Sequence, residues 1–89
     1  MKSLWIRFEG NVQGVNFRRD VSAFCRMLGI RGWIRNNTDG SVEGEFHGDE
    51  VVMAQLLDAL NGEFENAFIS RREVKEIPWK DEKGFRIER

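Results

Sequence analysis

The chain reads Gly10-Asn11-Val12-Gln13-Gly14-Val15-Asn16-Phe17-Arg18 between two segments whose apolar residues recur with different periods. Before this stretch, apolar residues alternate with others from Leu4 to Phe8, the period of two expected for a strand with one face against a core. After it, apolar residues recur at helical spacing up to Gly29, namely at Val21, Phe24, Cys25 and Leu28. Residues 10–18 therefore predict a loop that joins a first strand to a first helix.

The next two elements are predicted to form a hairpin. The segment from Ile30 to Thr38 is typical of a second strand, and Asp39-Gly40 carries the signal of a tight turn. Beyond the turn, Val42, Gly44 and Phe46 alternate with glutamates, which indicates a third strand with one apolar face.

The last elements are a second helix and one or two strands. Asp49 is placed to cap a helix that ends near Asn61-Gly62, with inward positions at Val52, Met53, Leu56, Ala59 and Leu60. From Ala67 to Ile77 the alternation is blurred by charged residues, which favours an edge strand or a strand with a bulge. Phe85 and Ile87 predict a short final strand.

This order of elements, βαββαβ, predicts an α+β protein of the ferredoxin-like split β-α-β type, with a short fifth strand as an optional addition. In that arrangement two helices cover one face of an antiparallel sheet, and the third strand lies between parallel first and second strands. The ends of the two parallel strands, Gly10 and about Asn36, should then share one edge of the sheet, separated by roughly 10 Å.

Composition limits the class of protein. The 89 residues, 40% hydrophobic and 33% charged, suit a single globular domain over residues 1–89. A formal net charge of −1 provides no overall field for a nucleic acid or an anionic membrane. Cys25 is the only cysteine, so no intramolecular disulfide can form, and the N-terminal apolar run meets Arg7 too soon for a signal peptide. We expect a cytoplasmic monomer that binds neither nucleic acid nor membrane.

The loop at residues 10–18 is a candidate anion site. Glycines in such a loop let backbone N–H groups converge on one anion, and the helix start adds free amides and the positive end of the dipole. Arg18 stands at that start, where the helix dipole disfavours a cation by about 0.3–1 kcal/mol. With a phosphate bound in the loop, the net electrostatic interaction of Arg18 with this site becomes favourable. The alternative is that Arg18 and Arg19 are solvated residues of the first turn, since a glycine loop alone is a weak signal.

Asn36 is a candidate partner of the loop, because its amide can accept from a water and donate to an oxyanion. If Ile34 is buried under the helices, the strand period turns Asn36 to the same face, toward the loop. Asn37 is its rival, and both asparagines also suit a turn before Asp39-Gly40.

Other candidates are weaker. The strand period points His47 outward, which indicates a solvated surface residue. Glu43 and Glu45 share that face, where a charged sheet surface is commoner than a catalytic carboxylate pair. Trp5 and Trp33 could stack single-stranded RNA, but the outward glutamates would repel its phosphates. No group of His, Asp and Glu has the spacing of a metal site.

Two segments closely resemble the acylphosphatase family. Residues 10–18 fill every fixed position of its first motif, Gly-x-Val-Gln-Gly-Val-x-Phe-Arg, and Gly32-Trp33-Ile34-Arg35-Asn36, continuing through Gly40, Val42 and Gly48, is similar to the second. Two positions depart from the commonest pattern. Asn11 stands where a basic residue is frequent, and Ile34 where a smaller aliphatic residue is usual, which affects the expected rate more than the function.

The resemblance implies a metal-independent hydrolase, without an organic cofactor, that cleaves acyl phosphates to a carboxylate and phosphate. Arg18 would bind the phosphoryl group together with backbone amides of the loop, and Asn36 would orient the attacking water, whose proton passes to a substrate phosphate oxygen. Phosphate and sulfate would compete for the site. The phosphate-binding residues would be Val12, Gln13, Gly14, Val15, Asn16, Phe17 and Arg18. A catalytically silent anion-binding module is the alternative that these motifs leave open.

Overall fold

The structure, a computed structural model, describes residues 1–62, 64 and 67–88. Within these residues the strands and helices follow the predicted order and include the fifth strand. They are β1 (Lys2–Asn11), α1 (Phe17–Leu28), β2 (Arg31–Asn36), β3 (Val42–Gly48), α2 (Glu50–Ala59), β4 (Phe68–Glu76) and β5 (Phe85–Ile87). The α+β split β-α-β fold is confirmed.

The strands form one sheet in the order β4-β1-β3-β2-β5. Because β3 runs antiparallel to both β1 and β2, these two strands are parallel to each other, with β3 between them as predicted. Their last residues, Asn11 and Asn36, therefore lie on the same edge of the sheet. The prediction of an antiparallel sheet needs one correction, because β5 pairs parallel with β2, with Gly32 opposite Phe85.

Both helices cover the same face of the sheet. The apolar residues of α1 and α2 and the inward residues of the strands form one buried cluster, which includes Ile6, Phe8, Val21, Cys25, Ile34, Phe46, Met53 and Leu56. The predicted caps at Gly29 and Asp49 are confirmed, whereas α2 ends at Ala59, slightly before the predicted Asn61-Gly62. Helix α1 ends at Gly29 in a left-handed conformation (φ 74°), and the Asp49 carboxylate accepts the N–H of Val52 at 2.9 Å at the start of α2.

Strand β4 is an edge strand with a bulge, as its blurred pattern predicted. It pairs with β1, and the register shifts between Glu9 and Gly10, which lie opposite Arg71 and Ile69, so that Ser70 is the additional residue. Strand β2 is shorter than predicted. It ends at Asn36 because Asn37 already belongs to the turn, where its N–H donates to the Ser41 carbonyl at 2.8 Å.

The chain between β4 and β5, residues 77–84, crosses the face of the sheet that the helices leave open; we call it the crossover. Trp79 of the crossover packs edge-on against His47 at a ring separation of 5.5 Å, and Lys80 Nζ lies 3.0 Å from Glu45 Oε1. The prediction of a solvated His47 is wrong, since its side chain is 0% exposed and its Nδ1 hydrogen-bonds with Ser3 Oγ at 2.8 Å. The strand period placed His47 on the correct face, but it carried no information about the crossover.

Candidate active site

The loop from Val12 to Asn16 follows the last residue of β1 and has an alternating backbone. Gly14 has φ 74° and Asn16 has φ 62°, and Asn16 is the one residue other than glycine with a positive φ among the described residues. Since Val15 between them has a negative φ, the sign alternates along the loop. Alternation of this kind turns successive N–H groups toward one side and forms an anion-binding concavity.

The start of α1 adds further N–H groups to this concavity. Asn16 is the N-cap residue, but its side chain makes no capping hydrogen bond. The first backbone bond of the helix runs from the Asp20 N–H to the Asn16 carbonyl at 3.0 Å. Among the described residues, no acceptor receives the N–H groups of residues 14–18. The loop and the first turn therefore present unpaired donors beside the positive end of the helix dipole.

Arg18 is the second residue of α1, and its half-buried side chain lines a cavity of about 210 Å³ at this start. The walls of the cavity are Val12, Gly14, Asn16, Phe17, Arg18, Arg19 and Ile87. No carboxylate within the described part of the chain forms an ion pair with Arg18. The Arg18 guanidinium thus lies at the positive end of the helix dipole without a carboxylate partner. This arrangement favours binding of an anionic ligand.

Two of the predicted phosphate-binding residues also build the core. Val12 and Phe17 are buried, and the Phe17 ring makes edge-to-face contacts with Phe8 at 5.1 Å and with Phe64 at 5.8 Å. Their side chains anchor the two ends of the loop in the apolar interior. Only their backbone N–H groups are therefore available to an anion, whereas the half-buried Arg18 side chain itself lines the cavity.

Asn36 ends β2 on the helix-covered face of the sheet. Ile34 is fully buried and Asn36 lies two residues further, opposite Val42, so the strand period places both side chains on the same face. The rival Asn37 is committed to the turn, because its Nδ2 donates to Ser41 Oγ at 2.9 Å. Asn36 does not line the cavity beside Arg18. It is connected to the loop through the neighbouring residue Asn37.

The connection is made by the side chain of Gln13. Its Nε2 donates to the Asn37 carbonyl and to the Ser41 carbonyl, both at 2.8 Å. The resemblance implied only a backbone role for Gln13, because nothing in a local pattern links a loop glutamine to a turn 24 residues away. The contact fastens the loop to the β2–β3 turn directly after Asn36.

The turn is further held by Asp39. Its carboxylate accepts the Ser41 hydroxyl at 2.6 Å and the Ser41 N–H at 2.9 Å, and it pairs with Arg7. The bonds from Ser41, followed by the Arg7 guanidinium, lower the pKa of Asp39 to about 2. The turn that carries Asn36 at its start is thus a charged, hydrogen-bonded unit.

The other ionisable candidates are paired or inert. Burial by itself would raise the pKa of Glu43, but hydrogen bonds from Trp5 Nε1 and Arg35 lower it below its ordinary value. Burial raises the pKa of the Cys25 thiol to about 12. In the described ranges, no three His, Cys, Asp or Glu side chains are grouped in a way that could hold a metal ion. No helix in those ranges has the length and apolar character needed to cross a membrane.

The sequence and fold both match known proteins. A sequence model of the acylphosphatase family matches residues 4–87. An acylphosphatase of Rhodospirillum rubrum is 38% identical over 85 residues, which cover 96% of this chain and 93% of that protein. The crystal structure of acylphosphatase from Bacillus subtilis superposes with a TM-score of 0.89 at 26% identity and covers 100% of both chains. An acylphosphatase structure from Coxiella burnetii gives a TM-score of 0.89 at 30% identity, covering 98% of this chain and 92% of that one. With the motif residues lying at one edge of this fold, the chain belongs to the acylphosphatase family.

Proposed function

We propose that this acylphosphatase holds the phosphoryl group of its substrate in the concavity of residues 12–18 and cleaves the carboxyl-phosphate bond without a metal ion. The observation that carries the proposal is the alternating φ at Gly14, Val15 and Asn16 directly before a helix start that presents Arg18. Both features direct N–H donors and positive charge to one place, as a phosphoryl dianion requires.

Arg18 is proposed to clamp the phosphoryl oxygens. A guanidinium offers planar paired donors that match a phosphate, and the half-buried side chain lines the cavity next to the loop. As negative charge moves onto the leaving carboxylate and the equatorial oxygens, donors that are already in place need no reorganisation. Arg18 and the loop amides would therefore serve both binding and turnover.

Asn36 is proposed to orient the attacking water. The water oxygen attacks phosphorus, the bond from phosphorus to the acyl oxygen breaks, and the electron pair leaves with the carboxylate. The proton of the water passes to a phosphate oxygen of the substrate, so that the products are a carboxylate and inorganic phosphate. No Asp, Glu or His occurs in residues 10–18 or at Asn36, which fits a reaction without a general base from the protein.

The decisive measurement is phosphate release from benzoyl phosphate in the presence of EDTA, compared with the uncatalysed rate. We expect acceleration without added metal, and competitive inhibition by phosphate and by sulfate. An absence of acceleration, combined with anion binding, would instead support the silent anion-binding module.

Two variants separate the proposed roles. Arg18→Ala should lower kcat/KM by at least about 10²-fold and weaken inhibition by phosphate, because it removes hydrogen-bond donors that act on the phosphoryl group in both the ground state and the transition state. Asn36→Ala should lower kcat by about 10²–10³-fold and leave the inhibition constant of phosphate within about threefold. Arg71→Ala, at an exposed position of β4, and Asn61→Ala, in the exposed turn after α2, are the matched controls. Equal loss of phosphate binding in both site variants would refute the division of roles.

We further propose that the protein acts as a cytoplasmic monomer and that residues 1–89 form one domain. Light scattering after gel filtration should give a mass near 10.4 kDa, and cell fractionation should recover the protein in the cytosol. Unfolding followed by circular dichroism and by tryptophan fluorescence should show coincident transitions. A dimer mass, or two separate transitions, would contradict these expectations.

A further inference from the structure

Gln13 makes a contact that joins the two halves of the proposed site. Its Nε2 donates one N–H to the Asn37 carbonyl and one to the Ser41 carbonyl, each at 2.8 Å. Both donors of the amide are thereby used, and the two acceptors fix the side chain in two directions. The side chain is half-buried, so water competes little for these bonds.

The two carbonyls belong to the most tightly bonded part of the β2–β3 turn. The Asn37 N–H donates to the Ser41 carbonyl at 2.8 Å, and the Gly40 N–H donates to the Asn37 carbonyl at 3.3 Å. The Ser41 hydroxyl and N–H are in turn held by Asp39. Gln13 therefore docks the concavity of residues 12–18, which we call the cradle, against a hydrogen-bonded turn, and Asn36 is the residue that enters that turn.

The other links between β1 and the end of β2 include the sheet, across β3, the ion pair of Arg7 with Asp39 and the packing of α1 against β2, whereas Gln13 joins the loop itself to the turn. Gln13 is one residue before Gly14, where the alternating backbone of the cradle begins. A shift of the loop relative to the turn would change the separation between the phosphoryl group held by the cradle and the water held by Asn36. A misplacement of 1 Å in a reacting pair can lower a rate by about 10²-fold.

We propose that Gln13 is a positioning residue for hydrolysis, which sets Asn36 and its water in line with the phosphoryl group bound by Arg18 and the loop. This inference rests on the proposed function. It assigns the Gln13 side chain a role separate from that of its backbone N–H, because the side chain faces the turn carbonyls and has no donor left for the substrate.

The first test is Gln13→Met, which keeps the length of the side chain and removes both donors. We expect kcat to fall by about 10–10²-fold, while KM and the inhibition constant of phosphate stay within about threefold. Gln55→Met, at an exposed position of α2, is the matched control and should leave both constants unchanged. An unchanged kcat, or a rise in KM that accounts for the whole loss, would overturn the inference.

A double-mutant cycle separates positioning from a general structural effect. Since Gln13 is proposed to act through Asn36, Gln13→Met in an Asn36→Ala background should cause little further loss of kcat. The same fold loss in both backgrounds would show that Gln13 acts independently of Asn36 and would overturn the inference.

Gln13→Glu supplies a pH-dependent readout. The carboxylate has no donor for the two carbonyls, whereas the protonated acid regains one. The ratio of wild-type to variant kcat should therefore shrink as the pH falls toward the carboxyl pKa, and a constant ratio would count against the inference. A wild-type protein without turnover would overturn the proposed function and this inference together, while a wild-type enzyme unaffected by the Gln13 variants would overturn the inference alone.

Discussion

At the scale of single residues, Asn11 places a neutral side chain at the edge of the cradle. It ends β1, is exposed, and directly precedes Val12, which lines the cavity beside Arg18. An exposed charge at such a position changes the local potential that a dianionic substrate meets, without altering the packed core.

We expect Asn11→Lys to lower KM for benzoyl phosphate by up to about fivefold at low ionic strength, because an exposed charge interaction contributes about 0.2–1 kcal/mol. The gain should disappear in 0.5 M salt. Gln55→Lys adds the same charge on the outer side of α2 and should leave KM unchanged. If KM stays lowered in high salt, the new lysine acts by direct contact with the substrate rather than through a long-range electrostatic attraction.

Asp39 supplies a prediction about pH at the same scale. The pKa of Asp39 is lowered from 3.8 to about 2 by Ser41 and Arg7, so its bonds add stability above the ordinary pKa. This contribution should be lost as the pH falls from about 4 to about 2. The stability difference between wild type and Asp39→Asn, from urea unfolding, should therefore shrink over that range. An NMR titration of the Asp39 carboxyl with a midpoint near 3.8 would contradict the lowered pKa and the stability change predicted from it.

At the scale of elements, Gly32 allows β2 to lie between two partners. Its φ is +139°, and a Cβ built there would lie 1.9 Å from the Glu45 carbonyl oxygen of β3. On the other side its N–H donates to the Gly84 carbonyl at 2.9 Å, just before β5 begins. A side chain at this position would push β2 away from β3 and disturb the strand that ends in Asn36.

We expect Gly32→Ala to lower the free energy of unfolding by at least about 2 kcal/mol, since strain and overpacking each cost about 1–3 kcal/mol. Gly62→Ala is the control, because a Cβ at Gly62 meets no atom of the described residues within 4 Å, apart from its chain neighbours. It should change stability by less than about 0.5 kcal/mol. Urea denaturation of both variants measures the difference, and similar values for the two would contradict the close approach of β2 and β3.

At the scale of the whole molecule, the crossover connects the two outer strands of the sheet by passing over its open face. It covers the end of the sheet opposite the cradle, where His47, Ser3 and Arg31 lie. Burial is the largest influence on His47 and, together with Lys80, lowers its pKa below 6.5. The charges of Glu45 and Glu82 act in the opposite direction but are outweighed. The unfolded state therefore takes up a proton more readily than the folded state does.

This sign predicts that the His47 contribution to stability is complete above about pH 6.5 and is lost as the pH falls through the folded-state pKa. Trp79→Ala should expose His47, raise its pKa toward 6.5 and reduce this acid-side loss. Because His47 is the only histidine, its NMR titration is readily assigned. A wild-type midpoint at or above 6.5 would contradict the burial of His47 under the crossover.

The order of elements, the buried faces of β1, α1, β2, β3 and α2, and the two motifs at the ends of β1 and β2 could be predicted from the amino-acid sequence. These are local properties, because alternation from Leu4 to Phe8 and helical spacing from Val21 to Leu28 depend on neighbouring residues alone. Three features became visible only in the three-dimensional fold: the burial of His47, the parallel pairing of β5 with β2, and the bond from Gln13 to the turn beyond Asn36. Each of these depends on residues far apart in the chain. A hydrophobic period shows which side of a strand is apolar, but it holds no information about which distant segment crosses the other side.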